Sequence, residues 1–312
     1  MSDSHHAIKA VARRTGLTAH VILIWEKRYG AVQPERTATN RRLYSEAQIE
    51  RLNLLRAITQ AGHSIGHVAK LATDKLRKLA AENESANGRS EHHATESPAK
   101  ANFLDQCVAA VKALDVRGLE EILKRAEMEL GIQGSLQRVI APLAQSLGDL
   151  WRAGTITAAH EHFATAVLRI FLGNATKRYV SNETDPIILV ATPAGQIQEL
   201  GALLAAATAA NLGWRVTYLG ANLPAAEIAG VARQNGARAV ALSLVYPEDD
   251  PRLQRELKQL RELLPSEVKL IVGGRAMPAY RKALEKIGAT QAKDLNHFCS
   301  ALDDLRKPFA KH

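Results

Sequence analysis

Three groups of residues in this 312-residue chain are spaced for chemistry. The first is TPAGQIQELG, Thr192 to Gly201, between the apolar run IILVA and a long helix-like stretch. A loop that leaves a strand end and opens a helix is where open α/β sheets bind ligands. Gln196 and Gln198 stand where a metal-bearing group would want a carboxylate and an imidazole. An amide oxygen is a far poorer ligand for such a metal than an imidazole. The second group is Trp151, nine further residues, then Glu161-His162. An aromatic at one helix end and an acid–imidazole pair on the next can converge on one cavity. The plainer reading is a core Trp and two surface residues. The third group is cationic: Arg36, Arg41 and Arg42 with Tyr44. Guanidinium forks suit phosphate, and a tyrosine adds a donor and a flat face.

Composition bounds the elements that must carry these groups. The length predicts about two domains, each able to bury a core. Hydrophobic content of 46% and charged content of 23% are those of a soluble globular protein. Cys107 and Cys299 are far apart and form no metal-ligand pattern, which fits a reducing compartment. No signal-type run and no membrane-spanning stretch is visible, so a cytoplasmic location is expected. Of the net charge of +9, a surplus of eight lies in residues 1–80. A localised basic segment on a near-neutral remainder is the footprint of a polyanion partner, or else a solvated surface.

The N-terminal stretch HAIKAVARRTGLTAHVILIWEKRYG reads as two short helices about a Gly-containing turn, with Thr18 as N-cap of the second. Ile8, Val11 and Ala12 form one apolar face, and Val21, Ile22, Ile24 and Trp25 the other. Gln33 to Asn40 reads as a loop or short hairpin. Ser45 with Gln48 is a capping-box signal for a third helix, and GHSIGHVAKLA gives a short fourth. These residues resemble the MerR family of winged-helix regulators over roughly Ile8 to Leu79. The wing spacing P-x-R-T-x-x-N-x-R-x-Y carries the match most specifically. The resemblance implies that His20, Trp25, Arg28 and Tyr29 face DNA and that Arg36, Arg41, Arg42 and Tyr44 contact it from the wing. Trp25 also continues an apolar stripe, which is a core pattern. No long heptad helix is read after the fourth.

Residues 81–100, rich in Ser, Asn and Glu, read as a flexible linker, in which His92-His93 is an exposed pair. Four apolar-periodic segments across 101–182 predict a four-helix bundle. From 183 to 312, short apolar runs alternate with helix-like segments and predict a flavodoxin-like, doubly wound parallel sheet. Gly273-Gly274 would let backbone approach a ligand at a strand end. The expected whole is therefore multidomain, α and α/β: a winged helix-turn-helix (1–80), a bundle, then the sheet.

The bundle and sheet resemble the cobalamin-binding module of methionine synthase and its relatives. The motifs W-x9-EH, P-x-G-x-x-x-E-L-G, S-L-V-Y-P and V-G-G match its variant in MerR-type light-sensing repressors of carotenoid genes. There adenosylcobalamin joins dimers into a DNA-binding tetramer that light takes apart. By that resemblance Trp151, Glu161 and His162 cover the upper corrin face, with His162 an upper cobalt ligand when no alkyl group is present. Ser243, Gly273 and Gly274 border the slot for the nucleotide tail. The family's lower-ligand loop, Asp/Glu-x-His-x-x-Gly, reads Gln196-Ile197-Gln198-Glu199-Leu200-Gly201 here. The Gly is kept and the acid and imidazole are both gone; neither His297 nor His312 is placed to substitute. The resemblance implies a transcriptional regulator, a repressor rather than an enzyme. Its partners would be a double-stranded operator, a cobalamin held without a lower histidine, and its own copies as a dimer or tetramer. Two alternatives stand beside this: a sensor that has lost cobalamin for another small ligand or a protein, and a corrinoid carrier subunit of an enzyme.

Overall fold

The computed structural model describes residues 5–17, 19–37, 40–60, 63, 65–87, 103–177 and 185–306. It forms two compact units, 1–163 and 164–312. Thr18, residues 88–102 of the expected linker region, and His312 lie outside the described residues.

In the first unit, β1 (His6–Ala7) leads into α1 (Ile8–Thr15). α1 ends at Gly16, whose φ of 66° lets its N–H return to Ala12 O at 2.8 Å. α2 (Ala19–Tyr29) buries Val21, Ile22 and Trp25, one helical stripe. β2 (Glu35–Arg36) and β3 (Arg42–Tyr44) form a short hairpin, one of the two forms expected for Gln33 to Asn40, with its second strand beyond Asn40; the antiparallel sheet order is β1-β3-β2. α3 (Glu46–Gln60) opens on the reciprocal capping box: Ser45 N donates to Gln48 Oε1 at 3.1 Å and Gln48 N to Ser45 Oγ at 3.4 Å. α4 (Ile65–Val68) is one turn, held to its surroundings by Arg51. That guanidinium reaches Ala31 O, Thr73 Oγ1 and Ala69 O, so three segments share one cation.

α5 (Thr73–Asn87) departs from the sequence reading. It adds a fifth helix and carries helical backbone seven residues into the stretch expected as linker. Its segment is polar and lacks a strong apolar period, so its stability is tertiary. Leu76 is fully buried against the shared core, and Arg77 pairs with Glu50 of α3 at 2.8 Å.

α6 (Phe103–Lys112), α7 (Val116–Ser135), α8 (Ala141–Arg152) and α9 (Ala158–Lys177) are the four expected helices; α9 runs on into the second unit. α7 is capped by Asp115, which accepts from Gly118 N at 2.9 Å. It breaks at Gly131 (φ 71°, ψ 167°), a conformation that only glycine takes cheaply, and a π-helical turn, Leu136–Ile140, joins it to α8. Every residue from Leu130 to Ser135 is buried. α2, α3 and α4 pack on α7. A side chain at Gly131 would touch the Trp25 ring at 3.6 Å, and one at Gly134 would lie 3.7 Å from Thr59 O.

The second unit is built on a parallel sheet: β4 (Ile187–Pro193), β5 (Arg215–Leu223), β6 (Ala239–Ser243), β7 (Lys269–Gly273) and β8 (Thr290–Ala292), in the order β5-β4-β6-β7-β8. Alternation sorts the strands onto two cores. Leu189, Val240, Leu242 and Val272 face α11 (Ala225–Gln234), α12 (Pro251–Leu263) and α13 (Arg281–Lys286). Ile188, Val190, Ala241 and Ile271 face α10 (Leu200–Asn211) and α14 (Leu295–Arg306). This is the expected doubly wound arrangement. The strand order reverses at β4, so the crevice between the loops after β4 and β6 is the switch point where such sheets take ligands.

Candidate cofactor and nucleic-acid sites

The loop after β4 sits at that switch point and is tightly braced. Gln196 N donates to Pro193 O, and Gly195 N (φ 88°) donates to Asn222 Oδ1 at 2.8 Å. Thr192 Oγ1 donates to Gln196 O, and Asn222 N donates to Thr192 Oγ1 at 2.9 Å. The Gln196 side chain is 1% exposed and crosses the crevice. Its Oε1 accepts from Val245 N at 2.7 Å and Tyr246 N at 3.0 Å, and its Nε2 donates to Pro247 O at 3.4 Å. Gln198 and Ile197 point outward, Ile197 at 72% exposure. Glu199 is clamped by Arg169 of α9 and by the Tyr218 hydroxyl, whose ionisation is pushed up by burial and then by that carboxylate.

Close backbone packing continues behind this loop. A side chain on Gly201 would overlap Ser243 Oγ, and one on Gly274 (φ 100°) would overlap Leu244 O. Ser243 Oγ is buried with no hydrogen-bond partner. An orphaned buried hydroxyl is uncommon in a finished core, and in this unit Thr208 Oγ1 is left in the same state. Ser243, Gly201, Gly273 and Gly274 are thus brought together at one end of the sheet.

In the first unit Trp151 closes α8 half exposed, and Glu161 and His162 lie in the first turn of α9, His162 Nδ1 3.6 Å from Glu161 Oε2. His160, between the same helices, has both ring nitrogens engaged, by Thr157 Oγ1 at 2.7 Å and Lys112 O at 3.2 Å. The imidazole that remains exposed is that of His162.

The basic residues divide in a way the motif did not reveal. Arg42 Nε donates to both oxygens of Glu26, at 2.9 and 2.8 Å, and Tyr44 OH donates to the same carboxylate at 3.2 Å. Tyr44 is fully buried, and burial followed by Glu26 pushes its ionisation up. Trp25 is 1% exposed. Trp25 and Tyr44 are therefore core residues, and the expectation that these two reach DNA is corrected; Arg42, partly buried, ties the wing to α2 through its Nε. Tyr29 packs partly buried on the same core. Arg36 and Arg41 are exposed, Arg36 steadied by Asn40 Oδ1 at 2.6 Å. Lys27 of α2 and Arg13 of α1 are further exposed cations that motif reasoning passed over, because only their outward helical phase distinguishes them. The side chains of His20 and Arg28 lie outside the described residues.

Residues 7–75 match the MerR HTH family regulatory protein domain, and residues 103–174 and 186–292 each match a B12 binding domain. The chain is 28% identical over 287 residues to the HTH-type transcriptional repressor CarH of Myxococcus xanthus, covering 92% of this chain and 94% of that one. It is 27% identical over 303 residues to the HTH-type transcriptional repressor CarA of the same organism, covering 96% of each. Among solved structures, the Methanosarcina barkeri monomethylamine corrinoid protein shares the fold, at TM-score 0.52 and 20% identity, over 66% of this chain and 100% of that one. The chain joins a MerR-type helix-turn-helix to two B12-binding domains, homologous over nearly its whole length to the CarH and CarA transcriptional repressors.

Proposed function

We propose that the chain represses transcription from a double-stranded operator and that its sheet domain takes a cobalamin without a histidine below the metal. The observation that carries this is the buried, unpartnered Ser243 hydroxyl, beside Gly201 and paired across the strands with Gly273 at the switch point. Those residues fit the nucleotide tail of a corrinoid. Trp151, Glu161 and His162 would cover the other face, with His162 offering nitrogen to an open metal position. A bound alkylcobalamin would supply a light-labile metal–carbon bond, and so a means to change oligomeric state, dimer against tetramer, and with it DNA affinity. Ligation from below does not fit: Gln198 is an exposed amide and Gln196 is engaged elsewhere.

The full chain, incubated with hydroxocobalamin and desalted, should retain a visible corrin band of the kind that lacks a lower protein nitrogen. The double variant Gln198→His with Gln196→Glu should shift toward the nitrogen-ligated spectrum and bind about tenfold tighter or more, since an imidazole oriented by a carboxylate is the better ligand. A corrin band in neither protein would exclude cobalamin. The second reading, a sensor answering to another small ligand or a protein, would then replace this one. The full internal bracing of the loop is what favours that alternative. A carrier subunit for corrinoid enzymes shares the fold, but a winged helix-turn-helix has no part in methyl transfer.

A further inference from the structure

We infer that corrinoid recognition here reads the tail and the faces of the ring but not the metal from below, so that a cobalt-free corrin bearing the intact nucleotide tail binds as tightly as an alkylcobalamin, whose upper position is closed to His162. The inference rests on the cobalamin reading above and concerns the same crevice. The loop after β4 opens at the switch point, where such sheets take ligands. The side chains of Gln196 and Glu199 are already held. The Gln196 carbonyl has both lone pairs occupied by Val245 N and Tyr246 N, so it cannot accept from and orient a neighbouring ring. Thr192 and Asn222 hold its backbone carbonyl, and Tyr218 and Arg169 hold Glu199. What the loop leaves outward is Ile197, joined on the β6 side by Tyr246 at 66% exposure, and the neutral Gln198. Two large exposed apolar side chains at a ligand crevice offer a hydrocarbon and aromatic surface rather than a donor atom.

The polar recognition that remains sits on the tail side. Ser243 Oγ is buried and without a partner; it packs directly on Gly201, and Ser243 pairs with Gly273 on the next strand. A hydrogen bond gained by an otherwise unsatisfied buried hydroxyl discriminates strongly for the group that satisfies it. None of these contacts depends on the ion at the ring centre. In a protein that ligates cobalt, removal of the metal would remove a bond; here it removes nothing that the chain supplies from below.

The test is equilibrium dialysis of the full chain in the dark, read by absorbance, against three probes: methylcobalamin, the cobalt-free corrin with the same tail, and methylcobinamide, which keeps the alkylated cobalt and lacks the tail. The first two are expected to bind within about threefold of each other and methylcobinamide about 100-fold weaker or worse. The Gln198→His with Gln196→Glu variant is expected to regain a preference for cobalt of about tenfold or more. A wild-type preference for the cobalt form of that size would overturn the inference while leaving cobalamin uptake intact. Uptake of neither tailed corrin would overturn the cobalamin reading, and the inference with it.

Discussion

Arg42 and Arg41 are neighbours in one motif, yet they do different physical work. Arg41 is exposed, whereas Arg42 sits with Glu26 at side-chain exposures of 20% and 13% and shares that carboxylate with the buried Tyr44. Removing Arg42 would strand a half-buried carboxylate, at a cost of about 1–3 kcal/mol. Arg42→Ala should therefore lower the denaturation midpoint and leave the salt dependence of DNA binding nearly unchanged. Arg36→Ala with Arg41→Ala should do the reverse. Each lost phosphate contact flattens the slope of log affinity against log salt by about 0.9. A flattened slope for Arg42→Ala with unaltered stability would return that residue to the DNA. The wing motif was legible in sequence because its spacing is long. The division of labour within it was not, since it depends on Glu26 of another element arriving beneath the wing. The same holds for Gln196. Its identity announced a lost ligand partner, but its place in the crevice required the loop after β6, some 50 residues away.

At the scale of elements, α7 is the least ordinary helix. Around its break, Gly131 lies against Trp25 and Gly134 against Thr59, and α2, α3 and α4 are seated on the bundle helix. A non-glycine residue at φ 71°, ψ 167° costs about 1–3 kcal/mol of backbone strain. Gly131→Ala should thus lower the stability of the full chain in urea unfolding. Gly148→Ala, in the regular helix α8 with open space around it, should be neutral or gain up to about 1 kcal/mol. Equal effects of the two substitutions would mean that the break carries no weight. Glycine punctuation made the helix boundary visible in sequence, while the immediate resumption of the helix was not. α5 was missed for a related reason: Leu76 and Arg77 acquire their meaning only when α3 lies beside them. β8 was missed because three residues, Thr290 to Ala292, contain no apolar run, and the pairing with β7 is what makes them a strand.

For the whole molecule, the charge is concentrated in the quarter that matches the MerR domain, while the two B12-binding domains are close to neutral. Among the described residues no helix is long and apolar enough to cross a membrane. That separation assigns polyanion binding to one end and ligand sensing to the other, and regulation requires that the two be coupled. Coupling is a difference in DNA affinity between the corrinoid-free and corrinoid-loaded protein, typically about 5- to 150-fold where it has a regulatory role. The decisive measurement is fluorescence anisotropy of a duplex selected by the protein from a random pool. It is titrated in the dark at fixed salt with and without adenosylcobalamin, and corrin occupancy is read in the same cuvette. The account predicts a change in DNA affinity of at least about tenfold, saturating at one corrinoid per chain, with reciprocal tightening of the corrinoid by DNA if the change is a gain. Unchanged DNA affinity at full corrin occupancy would contradict it.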